Sequence, residues 1–172
     1  NRLSQAWEAE AHRFGDLGSR LCLLRLGVVL GRGGGALTEL TRSFQFGVGS
    51  WVGSGREWLS WVHLVDVLAA VDFLLERTDL AGAFNITAPE PVTNRGFCDV
   101  MSRHKRTLFN AGVPGMVLRL ALGEMARELL LNGQRVVPRR LQEAGFKFSY
   151  PTLDEALAEL LDQDSSAHSR QP

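Results

Sequence analysis

An apolar run at Leu21–Leu30 (LCLLRLGVVL), broken only by the charge of Arg25, leads directly into Gly31-Arg32-Gly33-Gly34-Gly35. A run without polar alternation suits a strand covered on both faces, and such strands belong to parallel sheets with helices above and below. The glycines that follow suit a loop where backbone closes on a ligand or on another part of the chain. The stretch continues to Asp66 through an amphipathic segment, a second glycine cluster and the aromatic–His–Asp sequence SWVHLVD. The pattern predicts a strand over Arg20–Leu30, a short helix over Ala36–Phe46 and a loop over Gly47–Gly55.

The flanking periodicities complete an α/β chain. Leu3, Ala6, Trp7, Ala11 and Phe14 share one face of a helix over Leu3–Phe14. Val62–Glu76 is helical, with Val62, Val65, Leu68, Ala69, Phe73 and Leu75 near one face. Ala83–Thr87 is a strand, Pro89–Pro91 a turn, and Thr93 caps a helix carrying Phe97, Val100 and Met101. Strand, helix, strand, helix is the order of a parallel sheet. Beyond Ser102 the texture changes. A basic run at Arg103–Arg106 precedes helical segments at Pro114–Leu122 and Glu124–Leu131, and a polar connection, Gly133–Arg140, holds Gln134, Arg135, Arg139 and Arg140. Arg139–Gly145 is a short helix with a glycine stop, Lys147–Tyr150 an edge strand, and Thr152 with Glu155 forms a capping box on the last helix.

Charge and composition narrow the function. The 19 basic residues balance 19 acidic ones, so no basic face is available for a phosphodiester backbone, and nucleic acid is not an expected partner. No apolar run reaches the roughly 18 residues of a membrane span, and no signal-peptide pattern opens the sequence. Cys22 and Cys98 sit among apolar neighbours and read as reduced core residues. The expected setting is cytoplasmic or another reducing intracellular compartment.

Gly31–Ala36 satisfies Gly-x-Gly-x-x-Ala between a strand and a helix, and Glu57 lies about twenty residues on, where an acid could hold a ribose. That is the grammar of a small self-contained dinucleotide-binding domain. Arg25 in mid-strand, a helix ahead of the strand, and a glycine loop ahead of Glu57 speak instead for a substrate-side loop. Arg25 either pairs with a helix carboxylate such as Glu8 or Glu10, or faces a cofactor. Arg56, framed by glycines, is either a bidentate anion binder or a solvated loop cation. His63 and Asp66, three apart at a helix start, are spaced for a hydrogen bond, either as a brace or as an acid/base couple. His12, His104 and His168 have no partner pattern. The sequence holds no metal-ligand cluster, no Gly-x-Ser-x-Gly and no P-loop. Its one tyrosine, Tyr150, is followed four residues on by Asp154, and its lysines are Lys105 and Lys147, so no Tyr-x-x-x-Lys dyad is present and no catalytic residue is assigned.

Three stretches, RLGVVLGRGGGALTEL, FQFGVGSWVGSGREWLSWVHLVDV and GAFNITAPEPVTNRGF, resemble the C-terminal part of atypical, extended short-chain dehydrogenase/reductases of the NAD(P)-dependent, sugar-nucleotide epimerase-like kind. The later block LRLALGEMARELLLNGQRVVPRRLQEAGFKFSYPTLDEAL resembles that family's small C-terminal domain of unknown function. The likeness runs over roughly Ser4–Leu161, with several blocks in the right order. Where the family usually carries Trp-[Ile/Val]-His-[Ile/Val]-Asp-Asp, Val65 replaces the first Asp; where Gly-Gly-Pro is usual, Gly49-Ser50-Trp51 stands.

The resemblance implies an α/β fold: the distal half of a Rossmann-like parallel sheet at 1–102, a small, mainly helical C-terminal domain at 103–161 and a disordered tail at 162–172. It implies NADP as cofactor, with Val29 on the nicotinamide side and Arg56, Trp61 and His63 on the side that holds a nucleotide-sugar anion. The family's glycine loop lies upstream of the matched region, which implies an N-terminally incomplete chain with weak cofactor binding. The rival reading is a non-catalytic module that self-associates, as a homo-oligomer, or binds a partner through the sheet that earlier strands would cover.

Overall fold

The computed structural model describes residues 2–15, 18–113 and 133–162. It opens with helix α1 (Arg2–Gly15), followed by strands β1 (Cys22–Leu26) and β2 (Val28–Leu30). Helix α2 (Gly35–Thr41) runs into a 3-10 turn, Arg42–Phe46, and then come β3 (Val48–Val52), β4 (Trp58–Leu59) and β5 (Trp61–His63). Next are α3 (Leu64–Glu76), β6 (Gly82–Ile86), β7 (Val92–Thr93), α4 (Asn94–His104) and β8 (Phe109–Val113). The described chain closes with α5 (Arg139–Glu143) and α6 (Leu153–Asp162). The expected helices over Pro114–Leu122 and Glu124–Leu131 lie outside the described residues, as does nearly all of the expected tail.

The strand expected over Arg20–Leu30 is present but changes neighbours in the middle. β1 runs parallel to β6, Cys22 opposite Gly82 and Leu26 opposite Ile86. β2 runs parallel to β5 instead, Val28 opposite Trp61 and Leu30 opposite His63. Gly27 is the junction: its N–H donates to Ile86 O at 3.0 Å, and the next N–H, of Val28, donates to Ser60 O at 2.8 Å. Just past β6, the Ala88 N–H donates to Trp61 O, so β5 enters between β2 and the continuation of β6. Only glycine fits the junction, because a Cβ on Gly27 would collide with the Ser60 carbonyl oxygen.

Two cores lie on either side of β5, because successive residues of a strand point to opposite faces. Trp61 joins Leu30, Leu59, Phe97, Met101, Leu153 and Leu157 in one. Val62 joins Ala70, Leu74, Phe84, Ile86 and Leu141 in the other. Cys98 is buried and Cys22 partly so, both free thiols, and burial pushes the Cys98 thiol up.

Several expectations are corrected. The segment expected as a loop at Gly47–Gly55 contains β3, parallel to β8 with Val48 opposite Phe109. Its partner lies some sixty residues on, so no local pattern announces it. The helix expected from Val62 starts at Leu64, since Val62 belongs to β5. Its buried residues are Asp66, Ala70 and Leu74, whereas Val65, Leu68 and Leu75 of the expected apolar face are exposed. Lys147–Tyr150 forms no strand. The Thr93 cap is present, its hydroxyl accepting from Gly96 N–H at 3.0 Å. So is the capping box, with Thr152 and Glu155 bonded reciprocally.

Candidate functional site

Where β1 and β6 part to admit β5, a cleft of about 460 Å³ opens. In open α/β sheets, ligand sites form where neighbouring strands diverge. The floor is the β1–β2 junction, Arg25 to Val28, with Asn85 and Thr87 from the end of β6. Trp58 of β4 and Ser60, between β4 and β5, line one side, and Gly133, Gln134 and Val136 form the remaining wall.

That wall comes from far along the chain and is held by Ser60. The Ser60 hydroxyl donates to Gln134 O at 2.7 Å and accepts the Val136 N–H at 3.0 Å. Asn85 Nδ2 donates to Val137 O at 3.3 Å. Downstream, Arg140 grips the edge of β6 through Ala83 O and Ala81 O at 2.6 and 2.8 Å. At the head of the wall, Gly133 lies against the Trp58 backbone so closely that a Cβ there would overlap the Trp58 carbonyl oxygen.

The electrostatics of the cleft are close to neutral. Arg25 is not a buried strand cation, as the apolar run suggested: it is exposed, and Nε and Nη2 pair with both Glu8 oxygens at 2.7 and 2.6 Å. The hydrogen bonds from Arg25 hold the Glu8 carboxyl below the usual range. The helix-carboxylate partner foreseen for Arg25 is therefore the one present. Among the described residues the other polar side chains of the lining are neutral, the hydroxyls of Ser60 and Thr87 and the carboxamides of Asn85 and Gln134; Trp58 also lines the cleft, and the Arg135 guanidinium lies over its ring at 5.4 Å.

Of the residues singled out from sequence Arg25 lines this cleft, whereas the four expected at the site, Val29, Arg56, Trp61 and His63, do not. Val29 is half-buried in β2, opposite Val62. Arg56 is exposed just ahead of β4, with its backbone N–H on Ser54 Oγ at 3.3 Å. Trp61 is fully buried and donates from Nε1 to Glu90 O at 3.0 Å. His63 is also buried; its Nε2 meets Glu159 rather than Asp66. The His63–Asp66 bond expected from spacing is absent, because Asp66 is turned to the Ser149 and Tyr150 N–H groups. Among these four, Arg56 alone offers a charged group at the surface.

The Gly31–Ala36 turn has the positive φ values that glycine permits, 80°, 148° and 68° at Gly33, Gly34 and Gly35. The strand after α2 pairs with β8, however, not with β2, so the run does not open a βαβ unit. Glu57 closes a turn by accepting from the N–H and hydroxyl of Ser54. Burial pushes its carboxyl up, but hydrogen bonds from its own backbone and Ser54 outweigh that and leave it low. Among the described residues no group of side chains could hold a metal, and no helix is long and apolar enough to cross a membrane.

Sequence reasoning missed Ser60, Asn85 and the arrival of Gln134 at the cleft. The usable signals were two glycines at close approaches, Gly27 inside a strand and Gly133 ahead of Gln134.

Comparison with known proteins places these features. Residues 113–160 match the family model described as Domain of unknown function (DUF1731). An epimerase family protein of Staphylococcus aureus is 36% identical over 155 residues, covering 90% of this chain and 51% of that protein. The structure of a human epimerase family protein (isoform 2) with NADPH is 34% identical, with a TM-score of 0.75 over 84% of this chain and 49% of that one. A Thermus thermophilus UDP-glucose 4-epimerase complex with NAD, 19% identical with a TM-score of 0.68 over 94% of this chain and 52% of that one, shows the shared fold. The chain thus spans about half the length of the relatives it matches.

Proposed function

The chain belongs to the epimerase family, as the C-terminal part of an extended short-chain dehydrogenase/reductase with its domain of unknown function, and we propose that it supplies the substrate-side half of a nicotinamide-dinucleotide-dependent epimerase or oxidoreductase site. The observation that carries this reading is the cleft at the parting of β1, β5 and β6, the kind of position where α/β folds bind ligands. Val29, in the strand that forms one edge of that parting, takes the nicotinamide side of NADP. Arg56 takes the diphosphate of a nucleotide sugar, with a guanidinium free to bind an anion bidentately. Trp61 and His63 act from inside, holding β5 in place beneath it.

Taken alone, these 172 residues bind the dinucleotide weakly and do not turn over. They contain neither a Gly-x-x-Gly-x-x-Gly run nor a Tyr-x-x-x-Lys dyad, so the pyrophosphate lacks its backbone cradle and a carbonyl its proton donor. Calorimetric titration with NADPH is expected to give no saturable heat at micromolar protein. A micromolar dissociation constant that Gly33→Val abolishes would replace this reading with a dinucleotide site at Gly31–Ala36.

A second reading is favoured by one feature. Trp7, Leu24, Leu26, Val65 and Leu68 are exposed apolar side chains on α1, β1 and α3, and such surface supports self-association. Size-exclusion chromatography with light scattering decides it: a stable dimer supports this reading and a monomer removes it.

A further inference from the structure

We propose that Gln134, carried to the cleft by the segment Gly133–Val137, is a specificity-determining residue that reads the hydroxyl groups of a sugar; this rests on the nucleotide-sugar reading above.

Three observations lead there. First, the segment is anchored at several points against the strands of the cleft. Ser60 binds it at both Gln134 O and Val136 N, and Asn85 and Arg140 hold it further along. Gly133 fits only because it has no side chain. A segment fixed this closely holds its backbone in one position, so the Gln134 side chain always starts from the same point at the cleft.

Second, the groups left over are of one chemical kind. The Gln134 carbonyl is taken by Ser60, but its carboxamide has no protein partner among the described residues, and the residue is exposed. Asn85 spends an N–H on Val137 and keeps its Oδ1 unbonded among the described residues. A carboxamide offers both donors and acceptors, the complement of a hydroxyl, which is also both.

Third, the cleft is the wrong place for a phosphate and the right one for a neutral ring. Among the described residues its one lining cation, Arg25, is already bound on two nitrogens by Glu8. Trp58, Leu26 and Val28 are apolar residues of the lining, and small-molecule sites combine apolar lining with a few oriented polar groups. Arg56 stands two residues before Trp58, so an anion at Arg56 and a sugar beside Trp58 belong to one ligand. The region matched to the domain of unknown function would then contribute a wall that selects the sugar.

The test titrates the 15N-labelled chain with UDP-glucose and, separately, with UDP, following the Gln134 and Asn85 side-chain amides and the Arg56 resonances by NMR. UDP-glucose is expected to shift the Gln134 and Asn85 amides, while UDP shifts Arg56 only. Gln134→Ala, a change at an exposed side chain, should weaken UDP-glucose by about 3- to 10-fold and leave UDP unchanged. If both ligands shift Arg56 and Gln134→Ala alters neither affinity, the nucleotide-sugar reading stands and the role of Gln134 is overturned. If neither ligand shifts Arg56 or the cleft, both fail.

Discussion

His63 Nε2 lies 3.2 Å from Glu159 Oε2, linking the start of α3 to the last helix across 96 residues of sequence. The other ring nitrogen, Nδ1, accepts the Val65 N–H at 3.1 Å. With Nδ1 occupied as an acceptor, the neutral ring carries its proton on Nε2 and donates it to the carboxylate. Arg32, in the glycine turn, binds both the side chain and the carbonyl of Glu159. Glu159 thereby fastens the Gly31–Gly35 turn and the His63 ring to one helix.

Replacing that carboxylate tests the fastening. Glu159→Ala should cost about 1–3 kcal/mol in urea denaturation, because the Nε2–H of a buried imidazole loses its acceptor. Amide exchange at Gly33, Gly34 and Gly35 should accelerate in the same variant. Glu159→Gln keeps an acceptor and should lose less. A cost for Glu159→Ala below about 0.5 kcal/mol would class the contact with ordinary surface ion pairs.

Asp66 makes a comparable tie. It is fully buried, and its two oxygens accept the Ser149 and Tyr150 N–H groups at 2.7 and 3.1 Å. Hydrogen bonds to a charged group contribute about 1.5–3 kcal/mol each, and Asp66→Ala would also leave two N–H groups unpaired. The expected loss is about 3 kcal/mol or more by chemical denaturation. Asp66→Asn, which can accept only one of the two bonds, should fall between. Equal stability of Asp66→Ala and the parent would remove this account of how Ser149–Tyr150 is held.

Gly27→Ala should destabilise by about 1–3 kcal/mol through overpacking. The new methyl meets the Ser60 carbonyl oxygen first and Thr87 Cγ2, at 3.0 Å, second. Because the nearer obstacle is backbone, adding Thr87→Ser should not restore stability. Full rescue by Thr87→Ser would show that the strand junction yields and the side chain does not.

Asp79 sets an acid-side prediction. Bidentate hydrogen bonds from Arg77, at 2.8 Å each, hold its carboxyl at about 2 against an ordinary 3.8. A carboxyl with a lowered folded value stabilises the fold above its ordinary value and loses that contribution as pH falls. The window is therefore pH 3.8 down to about 2. Carboxyl-carbon NMR should place the Asp79 midpoint near the lower figure, and Arg77→Gln should return it toward 3.8. An unchanged midpoint in Arg77→Gln would show that another group depresses it.

Local chemistry was legible in the residues. The Thr93 cap, the Thr152–Glu155 box and the Gly145 stop each use atoms within a few residues, so spacing alone specified them. The parallel pairing of Cys22–Leu26 with Gly82–Ile86 was likewise foreshadowed by a strand–helix–strand order. The α3 periodicity marked a helix but not its inner face. Tertiary contact buried the Asp66 side, where Ser149 and Tyr150 donate, and left Leu68 in water.

The sequence by itself determined that this is an α/β chain built on a long apolar strand, with helix ends where its caps stand. Tertiary structure alone decided that the strand would change partners at Gly27, that Val48–Val52 would find Phe109–Val113, and that Gln134 would arrive beside Ser60 and Trp58. Caps and periodicities are bonds and faces completed within one or two turns of chain, so a short window contains both partners. A cleft wall built by residues 74 positions apart is completed only when the chain closes on itself, and no window of sequence contains that closure.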